Sequence, residues 1–296
     1  MTTIDDNSAR RYAARVDAVL AQRTRLRGPQ PSGDLFAGLP SGHPLLTADP
    51  RRPLDPNLEI IASYIEADDV IIDVGGGAGR ISLPLSLRCR EVINIEPSAA
   101  MATGFRANAA QAGIANARVI AGDWLEVDSP VGTVALVNHV TYLTRDIVQF
   151  VNKLERAGRR RVLITVNSPP PPSWQRVLFH LVHEEIEEVV PGHVELTNVL
   201  WEQGILPDIR VLPLPAARPN PPPTREAAIA ARIAGFGGDQ WALWPLGSDL
   251  ERRLRSVLEA RFDELFVLGP EGFVPRFITL GREILITWQP TTENRD

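Results

Sequence analysis

Short apolar runs alternate with amphipathic stretches through the middle of this chain. Val70-Ile71-Ile72, Glu91-Val92-Ile93-Asn94-Ile95 and Ala117-Arg118-Val119-Ile120-Ala121 read as strands, and two more end near Asn138 and Asn167. Runs this short, rich in branched residues and bounded by turn residues, fit strands buried in a parallel sheet. Helical signals stand between and before them. Tyr12, Val16, Val19 and Leu20 fall at i, i+4, i+7 and i+8, which predicts an amphipathic helix over 8–24. Asp55-Pro56 supplies an N-cap and a first-turn proline for a helix to about Glu66. Ile81 to Leu87 can open a helix, which Pro84 should bend or shorten. Ser98 is placed to cap a helix over 99–112 that stops at Gly113. Strands alternating with helices predict an α/β protein with a doubly wound, mostly parallel sheet. In such sheets ligands collect at the carboxyl ends of the strands.

Beyond Asn167 the pattern loosens. Pro169 to Pro172 predict a stiff extended stretch. Val177, Leu178, Leu181, Val182 and Ile186 share one side of a helix predicted over 173–189, with Glu184, Glu185, Glu187 and Glu188 on its outer face. A short helix follows over 194–204, then a strand over 208–213. After a proline-rich bend at 218–223 come helices over 224–235 and 249–264, the second opened by the capping box Ser248-x-x-Glu251. Glu283 to Trp288 reads as one further strand.

The first strand runs straight into Asp73-Val74-Gly75-Gly76-Gly77-Ala78-Gly79. A glycine-rich turn between strand and helix lets the backbone approach a ligand closely. A dinucleotide fingerprint would need a glycine at position 80, where the chain has Arg80. The spacing Gly75-x-Gly77-x-Gly79, with an acid two residues earlier, resembles motif I of class I S-adenosylmethionine (SAM)-dependent methyltransferases. Further stretches carry the resemblance to a group of bacterial methyltransferases: Gly79-Arg80-Ile81-Ser82-Leu83-Pro84-Leu85, Ile95-Glu96-Pro97-Ser98-x-x-Met101 and Asn138-His139-Val140-x-Tyr142. It spans about 58–167 plus the last two strands. It implies a seven-stranded sheet of the Rossmann-like kind, its last strand antiparallel, with Glu283 to Trp288 in that role.

The same resemblance assigns a cofactor site for SAM, with S-adenosylhomocysteine (SAH) as product. Asp73 suits a place near the ammonium group of the amino-acid end, beside Gly75, Gly77 and Gly79. Glu96 is set to accept from the ribose hydroxyls, with Pro97 following and Met101 able to pack on the adenine. Asp123 is expected at the adenine amino group and Trp124 against the ring. After the fourth strand, Asn138 is expected to contact the cofactor or cap the turn. His139 is a candidate general base, since histidine is the residue type that titrates near neutrality, or else it orients the loop. Tyr142 can orient a substrate or cover the cofactor.

Composition narrows the setting. Arginine supplies almost all the basic residues, Lys153 being the single lysine, and Arg159-Arg160-Arg161 reads as a solvated strand start. The net charge of −5 gives no general attraction for nucleic acid. Cys89 stands alone, so neither an intrachain disulfide nor a cysteine metal site is expected. His180 and His183 share a helix but lack the order of zinc hydrolases. No apolar run nears the ~20 residues of a membrane span, and a cytoplasmic location is expected. The expected organisation is an N-terminal helix and linker forming part of a cap (1–54), a SAM-binding core (55–215) with a helical segment at 173–204, a helical insertion or cap (216–265), and C-terminal strands completing the sheet (266–296). The insertion and the N-terminal helix are expected to cap the strand ends, with Trp174, Trp201, Trp241 and Trp244 in the cap region. The expected activity is methyl transfer to an oxygen or nitrogen of a small molecule. A protein or RNA methyltransferase and a non-catalytic SAM or SAH sensor stay open, as does a homodimer.

Overall fold

Helices form where the sequence supplies both a stripe and a start. A computed structural model of the chain describes residues 7–29, 32–40, 42–47, 49–128, 130–171, 175–214, 220–238, 247–277 and 281–290. Helix α1 (Ser8–Arg27) is capped by Asn7 and buries Tyr12, Val16 and Val19. Helix α2 (Pro56–Ala62) begins where Asp55 accepts from the backbone N–H groups of Asn57 and Leu58. Strand β1 (Val70–Val74), helix α3 (Ser82–Ser86) and strand β2 (Glu91–Glu96) follow. Pro84 lies inside α3, which is only 5 residues long. Helix α4 (Ala99–Gln111) is capped by Ser98, whose Oγ accepts from Met101 N–H at 3.0 Å. Strands β3 (Ala117–Ala121) and β4 (Gly132–Asn138) then follow without a helix between them, so that connection is reduced to turns, as its length predicts.

A 3-10 turn (Thr141–Leu143), helix α5 (Ile147–Ala157) and strand β5 (Gly158–Ser168) complete the first half. The second half holds α6 (Arg176–His183), α7 (His193–Glu202), β6 (Asp208–Val211), α8 (Arg225–Gly238), α9 (Ser248–Ala260), α10 (Phe262–Leu265), β7 (Phe266–Gly269), β8 (Gly272–Pro275) and β9 (Arg282–Trp288).

Seven strands join in one sheet in the order β3-β2-β1-β4-β5-β9-β6. The first five pair in parallel, and β9 runs antiparallel between β5 and β6. Alternation along the strands divides the core in two. Ile72 and Val74 face a core with α1, α5 and α7, while Ile71 faces one with α2, α3 and α4. A third core is separate. It gathers Leu178, Phe179 and Val182 of α6 with Ile229, Ile233, Leu254, Leu258, Phe262 and Phe266 from α8 to β7.

Several details depart from the sequence pattern. Helix α6 stops at His183 because Glu184 turns left-handed, at φ +60°. The acidic run therefore leaves the helix and meets α1: Glu185 pairs with Arg25 at 2.5 Å, and the N–H of Glu188 donates to Gln22 at 2.8 Å. Helix α9 starts from Gly247, and no side-chain capping bond forms, so the Ser248–Glu251 box is not made. Strands β7 and β8 pair with each other instead of extending the main sheet, since their apolar residues complete the third core. Arg160 is paired with the buried Asp69 rather than solvated.

Candidate functional site

The carboxyl ends of β1, β2 and β4 meet around a cavity of about 480 Å³, a volume within the range of small-molecule sites. The corner after β1 shapes one wall. Gly75 and Gly79 have φ of +68° and +85°, in the left-handed region. A Cβ on Gly75 would lie 2.6 Å from Val140 Cγ2, so the bare backbone lets the turn close against the loop after β4. A Cβ on Gly79 would lie 2.5 Å from Leu83 Cγ. Asn94, fully buried in β2, clamps the same turn. Its side-chain oxygen accepts from Gly76 N–H at 3.1 Å and its nitrogen donates to the Gly77 carbonyl at 2.9 Å. Sequence reasoning had passed over Asn94 as one more strand residue; a polar residue inside an apolar strand was the available signal.

The structure separates the expected cofactor residues into two groups. Gly75, Gly77, Glu96, Pro97, Met101, Asp123, Trp124, Asn138 and His139 line the cavity. Asp73, Gly79 and Tyr142 are not among its lining residues. Asp73 is 1% exposed and lies directly under the glycine turn, where a Cβ on Gly76 would collide with its carboxyl group. Burial, opposed by the neighbouring Ser82 hydroxyl and aided by the charge of Glu96, pushes its carboxyl up to about 7.

Glu96 sits at the end of β2 with one oxygen accepting from Gly77 N–H (2.9 Å) and the other from Ser98 N–H (2.8 Å). Burial raises its carboxyl above the ordinary value despite these donors. Each oxygen keeps acceptor capacity, so the group can also take hydroxyl donors. Trp124 is held edge-on to Phe150, with ring centroids 6.2 Å apart, and offers its other surface to the cavity. Asp123 stands exposed at the rim, with one oxygen accepting from Leu125 N–H at 2.8 Å.

The loop after β4 is strained. His139 adopts φ +58°, rare for a residue with a side chain. Both ring nitrogens are engaged: Nε2 lies 2.8 Å from Glu283 Oε1, and Nδ1 lies 3.1 Å from Tyr142 Oη. Tyr142 Oη accepts from Asn167 N–H at 2.5 Å, and Asn57 Nδ2 donates to Glu283 at 2.7 Å. Burial would raise the Glu283 carboxyl, but the hydrogen bond and charge of His139 outweigh it and hold it below the ordinary value. Burial holds the Tyr142 hydroxyl in its protonated form. Glu283 and Asn57 escaped the sequence reading because each lies far along the chain from His139. Asn138 is different: its side-chain nitrogen is buried without a partner, and the residue lines the cavity.

Another wall of the cavity comes from the N-terminal stretch. Phe36 and Leu45, in the stretch read as a linker, both line it, while no described residue of 216–265 does. Trp201 is 55% exposed and lies outside the lining; Trp174, Trp241 and Trp244 lie outside the described residues. Among the described residues no helix is long and apolar enough to cross a membrane, and no group of His, Cys, Asp and Glu could hold a metal ion.

Comparison with known proteins agrees with this geometry. Residues 71–160 match the model of a methyltransferase domain family. No curated protein matches the sequence. A provisionally named methyltransferase from Bacillus halodurans C-125 superposes with a TM-score of 0.51 at 12% identity, covering 79% of this chain and 97% of that one. The YcgJ protein from Bacillus subtilis gives a TM-score of 0.49 at 17% identity, with 78% and 96% covered. Geranyl diphosphate C-methyltransferase from Streptomyces coelicolor A3(2) gives 0.44 at 15% identity, with 79% and 78% covered. At such identities the likeness is one of fold. Strand order and glycine corner are those of the class I methyltransferase fold, and residues 71–160 of this chain match a methyltransferase domain.

Proposed function

We propose that this protein transfers the methyl group of SAM to an oxygen or nitrogen atom of a small molecule. The observation that carries the proposal is the cavity at the strand ends, about 480 Å³ in volume, which Glu96, Met101, Asp123 and Trp124 all line. These residues fit the group: Glu96 would hold the ribose hydroxyls, Asp123 the adenine amino group, and Trp124 with Met101 the faces of the ring. When bound, SAM supplies an activated methyl group on a sulfonium centre. The chain's own part is to align the acceptor and keep water out. Asp73 supports the glycine turn from below, and this placement favours a role in shaping the turn over direct contact with the ligand. The unpartnered amide of Asn138 is a donor for an oxygen of the cofactor's carboxylate or of the acceptor. His139 acts as an orienting group in this proposal, its ring held by Glu283 and Tyr142. Apolar neighbours such as Leu125 and Leu143 around the cavity suit a small organic acceptor rather than a nucleic acid.

The engagement of both His139 nitrogens also keeps a second reading in play, a SAM or SAH sensor without turnover. Incubating the protein with methyl-labelled SAM and a metabolite extract separates the two. Label recovered in a small molecule, with SAH formed in equal amount, is the expected result. SAH binding with no labelled product from any fraction supports the sensor, and label recovered only in protein or RNA overturns the small-molecule assignment.

A further inference from the structure

The segment before α2 is fixed to α4 at two places. At the start of α4, the Asp34 carboxylate accepts from Ser98 Oγ at 2.9 Å, from Ala100 N–H at 2.9 Å and from Phe36 N–H at 3.0 Å. Further along, the Leu46 carbonyl accepts from Asn108 Nδ2 at 3.1 Å and lies where a Cβ on Gly104 would come within 3.0 Å of it. The missing side chain at Gly104 is what lets the strand of chain lie flat on the helix. Between these two places Phe36 and Leu45 reach the cavity that Met101 and Trp124 also line.

From this arrangement we infer that residues 32–40 and 42–47 form a retaining wall of the cofactor pocket, with Asp34 as the latch that seats it. The inference rests on SAM or SAH occupying that pocket, as proposed above. A carboxylate at a helix start is favoured by the free N–H groups and the helix dipole there. Burial alone would raise the Asp34 carboxyl, but its three backbone and hydroxyl donors hold it below the ordinary value, so the latch stays charged at neutral pH. The wall carries an aromatic and an aliphatic side chain, whose apolar surface a ligand in the pocket would cover. A covering segment of this kind acts on ligand departure more than on arrival. It also assigns Phe36 and Leu45 to the cofactor and not to the acceptor, because they share their wall with Met101.

The test uses SAH as probe and the protein as it stands, with the change in intrinsic tryptophan fluorescence in stopped flow giving association and dissociation rates separately. Asp34→Ala and Phe36→Ala are each expected to raise the dissociation rate about ten-fold or more, the equivalent of about 1.4 kcal/mol, with association changed less than about three-fold. Asp249→Ala, on exposed α9, serves as control and should match the wild type. Melting curves without SAH check that each variant is folded; Phe36→Ala keeps the test standing if Asp34→Ala is not. Dissociation rates within about two-fold of wild type in both variants overturn the retaining wall while leaving the cofactor reading intact. Wild-type protein that does not bind SAH overturns both.

Discussion

Asp73 is a buried carboxyl lying directly under the glycine turn. The folded state holds it neutral to about pH 7, whereas the unfolded chain ionises it near the ordinary value of 3.8. With the folded value raised, its contribution to stability is complete below about pH 4 and is lost as pH climbs through 7. Asp73→Asn should remove that dependence. Urea unfolding at pH 5 and pH 8 is expected to show the variant gaining on the wild type with rising pH, by up to about 4 kcal/mol over the full range. Parallel curves for the two proteins would mean that Asp73 is ionised in the fold. Glu96 makes the opposite case, a carboxylate with donors already in place and capacity for more. Glu96→Ala is expected to weaken SAH binding about ten-fold or more, since a hydrogen bond to a charged group contributes roughly 1.5–3 kcal/mol. Calorimetric titration measures this, and unchanged affinity would move the ribose elsewhere.

At the scale of elements, the strand-turn-helix corner is the decisive unit. Gly79 does not line the cavity, and its absent side chain makes room for Leu83 and Phe105. Gly79→Ala should therefore lower stability, by about 1–3 kcal/mol from strain and overpacking, and SAH affinity only as far as the turn shifts. A denaturant midpoint unchanged from wild type would refute this. Helix α3, cut to one short turn around Pro84, is tolerable because that corner is held from β2 by Asn94 and from α4 by Asn108, which donates to the Ala78 carbonyl at 2.9 Å. The strand pattern was legible because each buried strand is a local apolar run. The ends of α6 and α9 were misread because a left-handed residue and an unused cap leave no mark on periodicity.

Across the whole molecule, two cores sandwich the sheet and a third stands with α6, α8, α9 and α10. Ligand binding at the strand ends should stabilise the sheet unit, by about 2.7 kcal/mol at a free SAH concentration of 100 Kd. Hydrogen exchange is expected to slow in the glycine turn and in 32–47 on adding SAH, with α8 and α9 unaffected. Equal protection of α8 and α9 would put the helical insertion over the ligand after all, as the sequence pattern had suggested. Alternation was enough to determine the sheet and its direction, while the glycine spacing and the acids at successive strand ends pointed to the cofactor class through their resemblance to a known family. Each of these is written within a few neighbouring residues. Only the tertiary structure decided what covers the pocket and what holds His139. Asp34 meets Ser98, and Glu283 meets His139, across separations of 64 and 144 residues (98 − 34 and 283 − 139). Contacts that distant carry no local period, and they exist only once the sheet has brought its strand ends together.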